Sequence, residues 1–207
     1  MRFEENLLRE FAYTITEPQF LPHRTDAVII LDYFNPRSTG DMAFRVRNRE
    51  NLARVRFGAR IWHYVADKAK KEQQRLPPIP FFYLVGLTLA LPHLRQMALS
   101  EGIPDYIIRL LDNDAVGIGN TLTQLQLVAS DPTLKRAKHI TIVSSSYHVP
   151  RIRRTAATCL PPDAQMWHAI LGVPFEELPF DITMVKAEID RIIAYSDKGD
   201  IARDPRH

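Results

Sequence analysis

Two short apolar runs constrain the fold of this chain more than any other feature. The first, Ala27–Leu31, follows Asp26, and the second, Ile140–Val143, is β-branched throughout and includes one polar residue, Thr141. Such a nearly continuous apolar strand must be covered on both of its faces, as the inner strands of a parallel sheet are. The sequence therefore predicts that both runs are inner strands with almost no exposure to solvent.

Further strands alternate with helices along the chain. Apolar runs predict strands at Phe81–Val85, Tyr106–Leu111 and Gln165–Ile170. Apolar residues three and four positions apart predict helices at Asn48–Lys71, Leu91–Ser100, Leu122–Ala129 and Ile182–Tyr195. This alternation predicts an α/β, Rossmann-like doubly wound fold, with a mainly parallel five-stranded sheet and helices on both faces. We expect residues 1–25 to form an N-terminal arm packed on a single domain of residues 26–207.

The composition excludes only a few classes of protein. The single cysteine, Cys159, cannot form an intramolecular disulfide, and its aliphatic neighbours predict an inert buried thiol. No stretch approaches the ~20 apolar residues of a membrane-spanning helix, and the N-terminus lacks a signal-peptide pattern. We therefore expect a cytoplasmic protein without a membrane span. A net charge of +3 neither requires nor excludes a nucleic acid partner, and the sequence does not indicate an oligomeric state.

The turn after the strand Ile140–Val143 carries the residues of greatest chemical interest. Small hydroxyl residues, Ser144 and Ser145 among them, lead into Tyr147 and His148, and Pro150 then fits the first turn of a helix that includes Arg151. Open α/β sheets bind ligands at such strand-to-helix turns, and a helix N-terminus attracts anions. The turn therefore predicts a site for a small anionic or nucleotide-like molecule.

Residues elsewhere in the chain are expected at the same edge of the sheet. Arg54 lies on the first long helix, and Asn120 and Thr121 open the helix after the third strand. We expect Arg54, Asn120, His148 and Arg151 to converge, because helix starts gather at one rim of a parallel sheet. Acidic residues after strands one and three could contact a ribose, a cation or a metal: Asp32, Asp112 and Asp114.

Each of these residues also has a purely structural interpretation. His148 is either a general acid or base or a residue that only orients a ligand, and Tyr147 is more consistent with a wall of the site than with a catalyst. Asn120 and Thr121 either bind ligand or cap their helix, and the arginines either face an anion or lie in solvent. No spaced metal motif, dinucleotide fingerprint, P-loop or nucleophile elbow is present, so we predict no metal site and keep a nucleophilic serine as a minor alternative.

Several of these segments together resemble one family of bacterial proteins. Val143–Arg151 resembles a strand-end pattern of Ser/Thr-Ser-x-Tyr-His-x-x-Arg, and Asn120-Thr121 resembles a pair that opens a helix. Arg54 ahead of Gly58 and Trp62, and the C-terminal Lys198-Gly199-Asp200, complete the likeness to the YdcF/SanA/ElyC family (DUF218). The family often has Gly-Gly after strand one, where this chain has Asp32-Tyr33, and a Glu after strand two, for which no counterpart follows Gly86.

The resemblance adds expectations about function. A member of that family is described as binding S-adenosylmethionine, whose carboxylate and ribose suit an anion-binding sheet edge, so this compound is a candidate ligand. Other relatives act in envelope homeostasis, which gives the alternative of a non-catalytic regulatory or interaction protein. Nucleic acid binding through the basic start of the first long helix is the least favoured alternative, because no exposed aromatic residues alternate with the arginines.

Overall fold

The computed structural model describes residues 3–16, 20–33, 41–71, 79–114, 120–159 and 167–204. Residues 34–40 and 115–119, and the start of the fifth predicted strand at Gln165, lie outside the described residues. The helices are α1 (Phe3–Thr16), α2 (Asp41–Lys71), α3 (Leu91–Ser100), α4 (Thr121–Ser130), α5 (Val149–Cys159) and α6 (Ile182–Lys198). The strands are β1 (Ala27–Leu31), β2 (Phe81–Gly86), β3 (Ile108–Asp112), β4 (Ile140–Ser145) and β5 (Trp167–Val173).

The five strands form one parallel sheet in the order β3-β2-β1-β4-β5. Register is continuous across the centre of the sheet, where Ile29 lies between Tyr83 on β2 and Ile142 on β4. Since β2 and β3 lie on one side of β1 while β4 and β5 lie on the other, the direction of winding reverses between β1 and β4. The structure thus confirms the prediction of a mainly parallel, doubly wound α/β fold.

The two apolar runs occupy the centre of this sheet, as predicted. Every residue of β1 and of β4 is buried. Side chains that alternate along β1 enter two different hydrophobic clusters, one on each face. Val28 and Ile30 pack against α2 and α3, whereas Ile29 and Leu31 pack against α4 and α5. Because all side chains of β1 enter these two clusters, the strand carries only apolar residues.

The N-terminal segment contains a helix that packs near the C-terminal edge of the sheet. Leu7 and Phe11 of α1 belong to a third hydrophobic cluster together with Tyr147 and with Val185 and Ile192 of α6. Glu10 adds an ion pair with the buried Arg154 of α5, at 2.7 Å. Helices α1 and α6 therefore meet over the turn that follows β4.

Some boundaries differ from those predicted. Helix α2 begins at Asp41 instead of Asn48, because Asp41 suits a helix N-terminus and the following residues are compatible with a helix although they carry no apolar stripe. A 3₁₀ turn, Asp105–Ile107, replaces the predicted start of the third strand. No helix among the described residues is long and apolar enough to cross a membrane.

Candidate functional site

The reversal point between β1 and β4 defines the candidate site. All strands are parallel, so their C-terminal ends meet at one edge, and α2 and α5 leave that edge toward opposite faces. Sheets of this kind bind ligands in the crevice outside such a reversal point. Asp32 follows β1 there, and Ser144 and Ser145 end β4.

The side chain of Arg54 extends from α2 across the boundary between β1 and β4. Its Nε and Nη2 atoms donate to the Ser145 hydroxyl at 3.0 and 2.9 Å, and its Nη1 donates to the Leu31 carbonyl at 2.7 Å. The residue is 0% exposed, and the ring of Tyr33 covers its guanidinium at 5.4 Å from the ring centroid. Arg54 therefore holds the ends of β1 and β4 together, with its charge inside the protein.

Glu50 supplies the negative charge next to Arg54. It lies one helical turn earlier on α2, is 0% exposed, and places Oε2 3.9 Å from Arg54 Nη2. Oε2 also accepts a short hydrogen bond from the Ser145 hydroxyl. The other oxygen, Oε1, has no hydrogen-bond partner within the described part of the chain. The Ser145 hydroxyl is thereby fixed between a guanidinium and a carboxylate.

Asp32 is held by side chains of α2. Its carboxylate accepts from Asn51 Nδ2 and Arg47 Nη2, each at 2.6 Å. Gly86 makes room for it, since a Cβ added at that glycine would lie 2.6 Å from the Asp32 Cβ. Gln124 of α4 reaches the carbonyls of Asp32 and Val85 at 3.4 and 3.3 Å. Asp32 thus closes the end of β1, with its carboxylate already paired.

His148 connects the turn after β4 to the start of α4. Its Nδ1 lies 3.0 Å from the Ser144 hydroxyl and its Nε2 lies 3.1 Å from the Thr121 hydroxyl. Burial lowers the pKa of His148 well below the ordinary 6.5, and the positive charges of Arg151, Arg54 and Arg191 lower it further. The imidazole is therefore neutral at physiological pH, with one nitrogen protonated and the other free to accept.

Arg151 links Thr121 to a carboxylate on the last helix. Its Nη1 donates to Thr121 Oγ1 at 3.0 Å, while Nε and Nη2 donate to the two oxygens of Glu188 at 2.6 and 3.3 Å. The Arg151 side chain is 14% exposed, and Glu188 is buried. Arg191, one turn further along α6 and partly exposed, also donates to Glu188. Two guanidinium groups therefore share one carboxylate.

Two further predicted residues, Asn120 and Tyr147, make contacts that stabilise the fold. Asn120 caps α4, accepting from the Thr123 N–H at 2.9 Å in a reciprocal capping box. Tyr147 is buried against Phe180, with ring centroids 5.0 Å apart, and burial together with the charge of Glu50 raises its pKa. Neither observation assigns these two residues a contact with a ligand.

Asp112 and Asp114 belong to a separate cluster at the end of β3. Thr88 donates its hydroxyl to Asp112 at 2.7 Å and its backbone N–H to Asp114 at 2.9 Å. The Thr88 hydroxyl and the Asp114 backbone N–H lower the pKa of Asp112. Within the described ranges, no group of three or more His, Cys, Asp or Glu residues is arranged to hold a metal ion.

The structure brings most of the predicted site residues together. Thr121, Ser144, His148 and Arg151 form one continuous chain of contacts, and Ser145 and Arg54 form a second network that begins at the adjacent residue of β4. Both arginines are paired with carboxylates, whereas the sequence predicted that they face an anion; their binding of a ligand stays a prediction.

Sequence reasoning missed four residues of these networks, namely Glu50, Asn51, Glu188 and Arg191. A signal for two of them was present. Glu50 precedes Arg54 by four residues on a helix, the spacing of a helical ion pair, and Glu188 interrupts the apolar stripe between Val185 and Ile192. A carboxylate on a buried stripe indicates a buried partner of opposite charge.

Comparison with family models, with curated proteins and with solved structures found no match to this chain. The function is therefore inferred from the geometry of the two networks.

Proposed function

We propose that this protein binds a small anionic or nucleotide-like molecule at the C-terminal edge of its sheet, outside the boundary between β1 and β4. The observation that carries the proposal is the sharing of the Glu188 carboxylate by Arg151 and Arg191. One carboxylate cannot neutralise two guanidinium groups, so this corner of the edge keeps a positive charge. The start of α4 beside it adds the positive end of a helix dipole.

The charges of the two networks support the same conclusion. Asp32 pairs with Arg47, and Glu50 lies beside Arg54, so these four charges cancel in pairs. Glu188 then faces two cations, and His148 contributes none because its low pKa keeps it neutral. Among the described side chains of these networks, positive charges exceed negative ones by one. An anion placed near Arg151 and Arg191 would balance that excess.

The chemistry of the edge favours a ligand with a phosphate or carboxylate group. Arginine forms bidentate hydrogen bonds with both groups, and Arg151 already makes such a contact with Glu188. A ligand anion could bind these guanidinium groups beside Glu188, where it would offset their excess positive charge. S-adenosylmethionine stays a candidate because of its carboxylate, as do nucleotides and sugar phosphates. Membership of the YdcF/SanA/ElyC family and a cytoplasmic location also stay predictions.

Calorimetric titration of the protein with S-adenosylmethionine, adenosine diphosphate and glucose 6-phosphate tests the proposal. We expect heat from at least one of them, and an affinity loss of about tenfold or more in Arg151→Gln, as for a lost charge-assisted contact. Arg153→Gln is the matched control, because two residues along a helix turn the side chain to the other side. Absence of heat from all three compounds would contradict the proposal.

A specific observation supports a second candidate function, that of a non-catalytic regulatory or interaction protein. Arg54 and Asp32, which were expected to face a ligand, have their hydrogen bonds satisfied inside the protein. Polar side chains that are fully hydrogen-bonded inside the protein are consistent with a structural role for this edge of the sheet. If Arg151→Gln and Arg191→Gln leave the interaction with every tested anion unchanged, this second function becomes the better explanation.

A further inference from the structure

The Thr121 hydroxyl lies where three activating groups meet. Its Oγ1 is 3.1 Å from His148 Nε2 and 3.0 Å from Arg151 Nη1. Thr121 is also the first residue of α4, where backbone N–H groups have no carbonyl partner inside the helix. A base, a guanidinium and a helix N-terminus around one hydroxyl are the elements that favour its loss of a proton.

The hydrogen-bond roles around Thr121 are compatible with attack on a substrate. Arg151 has only donors, so it occupies one lone pair of Thr121 Oγ1. If Nδ1 of His148 carries the proton and donates to Ser144, Nε2 accepts the Thr121 hydroxyl proton. The second lone pair of Oγ1 then remains for bond formation. A hydroxyl, a histidine and an orienting partner on the other ring nitrogen form the arrangement of an activated nucleophile.

We propose that Thr121 is the nucleophile of an esterase reaction and that His148 is its general base. The substrate class is a carboxylic ester that carries an anionic group. This inference rests on the proposed function, because Arg151 and Arg191 would hold that anionic group while Thr121 attacks the ester carbonyl next to it.

The reaction balances with water as the only further reactant. Thr121 Oγ1 bonds to the carbonyl carbon while its proton moves to His148 Nε2; the bond from carbon to the alcohol oxygen then breaks, and that oxygen takes the proton. Water next attacks the acyl-threonine, giving one proton to Nε2. The bond from carbon to Oγ1 breaks, and the proton returns to Thr121. The products are a carboxylic acid and an alcohol.

The geometry favours Thr121 over the nearby serines. Ser145 is fixed between Arg54 and Glu50, and its hydroxyl proton already points to the carboxylate. Ser144 lies on the Nδ1 side of His148, where the orienting group of such an arrangement belongs. The positive end of the α4 dipole beside Thr121 favours the negative oxygen formed during attack. The low pKa of His148 keeps its ring neutral before attack, and the anionic group of the substrate would favour the imidazolium that forms when the ring accepts the proton.

The experiment uses p-nitrophenyl acetate as the probe. The full-length protein is mixed with it, quenched in acid within seconds, and mapped by peptide mass spectrometry while release of p-nitrophenolate is followed by absorbance. We expect an acetyl group on Thr121, or release of p-nitrophenolate that depends on Thr121. The neighbouring Thr123, whose hydroxyl serves the capping box, is an internal control and should stay unmodified.

Variants define the contribution of each group. Thr121→Ser should keep acetylation at position 121, while Thr121→Val should lose it at nearly unchanged volume. His148→Gln, whose amide cannot take up a proton, should slow the reaction by about 10²–10⁴, the usual contribution of general base catalysis. If His148→Gln does not fold, the acetylation sites of the wild-type protein and the comparison with Thr121→Val still test whether Thr121 is the nucleophile. Equal release by wild type and Thr121→Val, together with an unmodified Thr121, would overturn the inference.

The probe separates this inference from the proposed function. Since p-nitrophenyl acetate carries no anionic group, its reaction with Thr121 does not depend on anion binding by Arg151 and Arg191. Acetylation of Thr121 without calorimetric heat from the anions would support the nucleophile and contradict the anion site. Heat without a Thr121-dependent reaction would support the anion site and overturn the nucleophile.

Discussion

Arg54 on α2 donates two hydrogen bonds to the hydroxyl of Ser145 on β4, 91 residues further along the chain. This contact spans the boundary at which the sheet reverses its winding. The helix that follows β1 is thereby fastened to the strand on the far side of that boundary. Since Glu50 and Arg54 are both fully buried there, neither charge can be removed alone without leaving the other unpaired inside the protein.

Arg54→Met should destabilise the protein strongly. It leaves the Glu50 carboxylate buried without a cation, which typically costs about 3–5 kcal/mol. Arg56→Met is the control on the same helix, because Arg56 also pairs with a carboxylate, Glu101, at 2.9 Å, but its side chain is 58% exposed. We expect about 0–1 kcal/mol there. Urea denaturation measures both; equal losses would contradict the role given to burial.

The fold was predictable because it depends on burial. Continuous apolar runs such as Ala27–Leu31 specify an inner strand by themselves, and the structure confirms that position. The start of α2 at Asp41 was not predictable from periodicity, since its first two turns are basic and carry no apolar stripe. These turns are compatible with a helix by propensity, and one of their residues, Arg47, also pairs with Asp32 at the sheet edge.

The sequence was sufficient to predict where the candidate site lies, but not which of its side chains contact one another. Strand ends and helix starts place His148, Thr121 and Arg151 at one edge by topology alone. Which of them contact one another depends on side-chain reach from helices distant in sequence: Glu188 meets Arg151 across 37 residues, and Thr121 meets His148 across 27. No local pattern carries that information, so the carboxylate partners of both arginines went unrecognised.

Gly172→Ala should destabilise the protein and displace the turn that bears His148. A Cβ at Gly172 would lie 2.4 Å from the Ser146 Cα, which is backbone and cannot move aside easily. We expect a loss of about 1–3 kcal/mol, the usual cost of overpacking. Gly199→Ala is the comparison. A Cβ added at Gly199 would have no atom within 4 Å, so the only cost there is the backbone strain of φ +78°. NMR of the imidazole should show a changed His148 environment in Gly172→Ala only; an unaltered His148 signal there would contradict this prediction.

Stability should fall with acidification below pH 6.5 because of His148. Its pKa is lowered on folding, so below 6.5 the unfolded chain binds a proton that the folded protein does not, and protonation favours unfolding. The free energy of unfolding should decrease by up to about 1.4 kcal/mol per pH unit from this group. Above pH 6.5 the histidine is neutral in both states and contributes no slope.

Denaturation of wild type and His148→Gln between pH 7.5 and pH 5 measures that slope. The difference between the two proteins should shrink as the pH falls, because the variant lacks the titrating group. The carboxyls of Asp112 and Asp181, whose pKa values are lowered on folding, do not affect this window, since they titrate below 3.8. Parallel curves for the two proteins would show that His148 takes up a proton as readily in the folded protein as in the unfolded chain, contrary to this prediction.

Glu188→Gln should strengthen the binding of anions at the sheet edge. In the structure Glu188 occupies both Arg151 and Arg191, so a ligand phosphate or carboxylate must compete with it. The amide keeps the size of the side chain and one acceptor but removes the competing charge. We expect affinity for an anion such as adenosine diphosphate to rise about tenfold, equivalent to about 1.4 kcal/mol. Calorimetry at low ionic strength measures this gain, which should decrease as salt is added.

Glu101→Gln is the matched control. Glu101 pairs with the exposed Arg56, so this substitution should leave the affinity unchanged. Unchanged or weaker binding in Glu188→Gln, in a protein that denaturation shows to be folded, would place the ligand away from these two arginines.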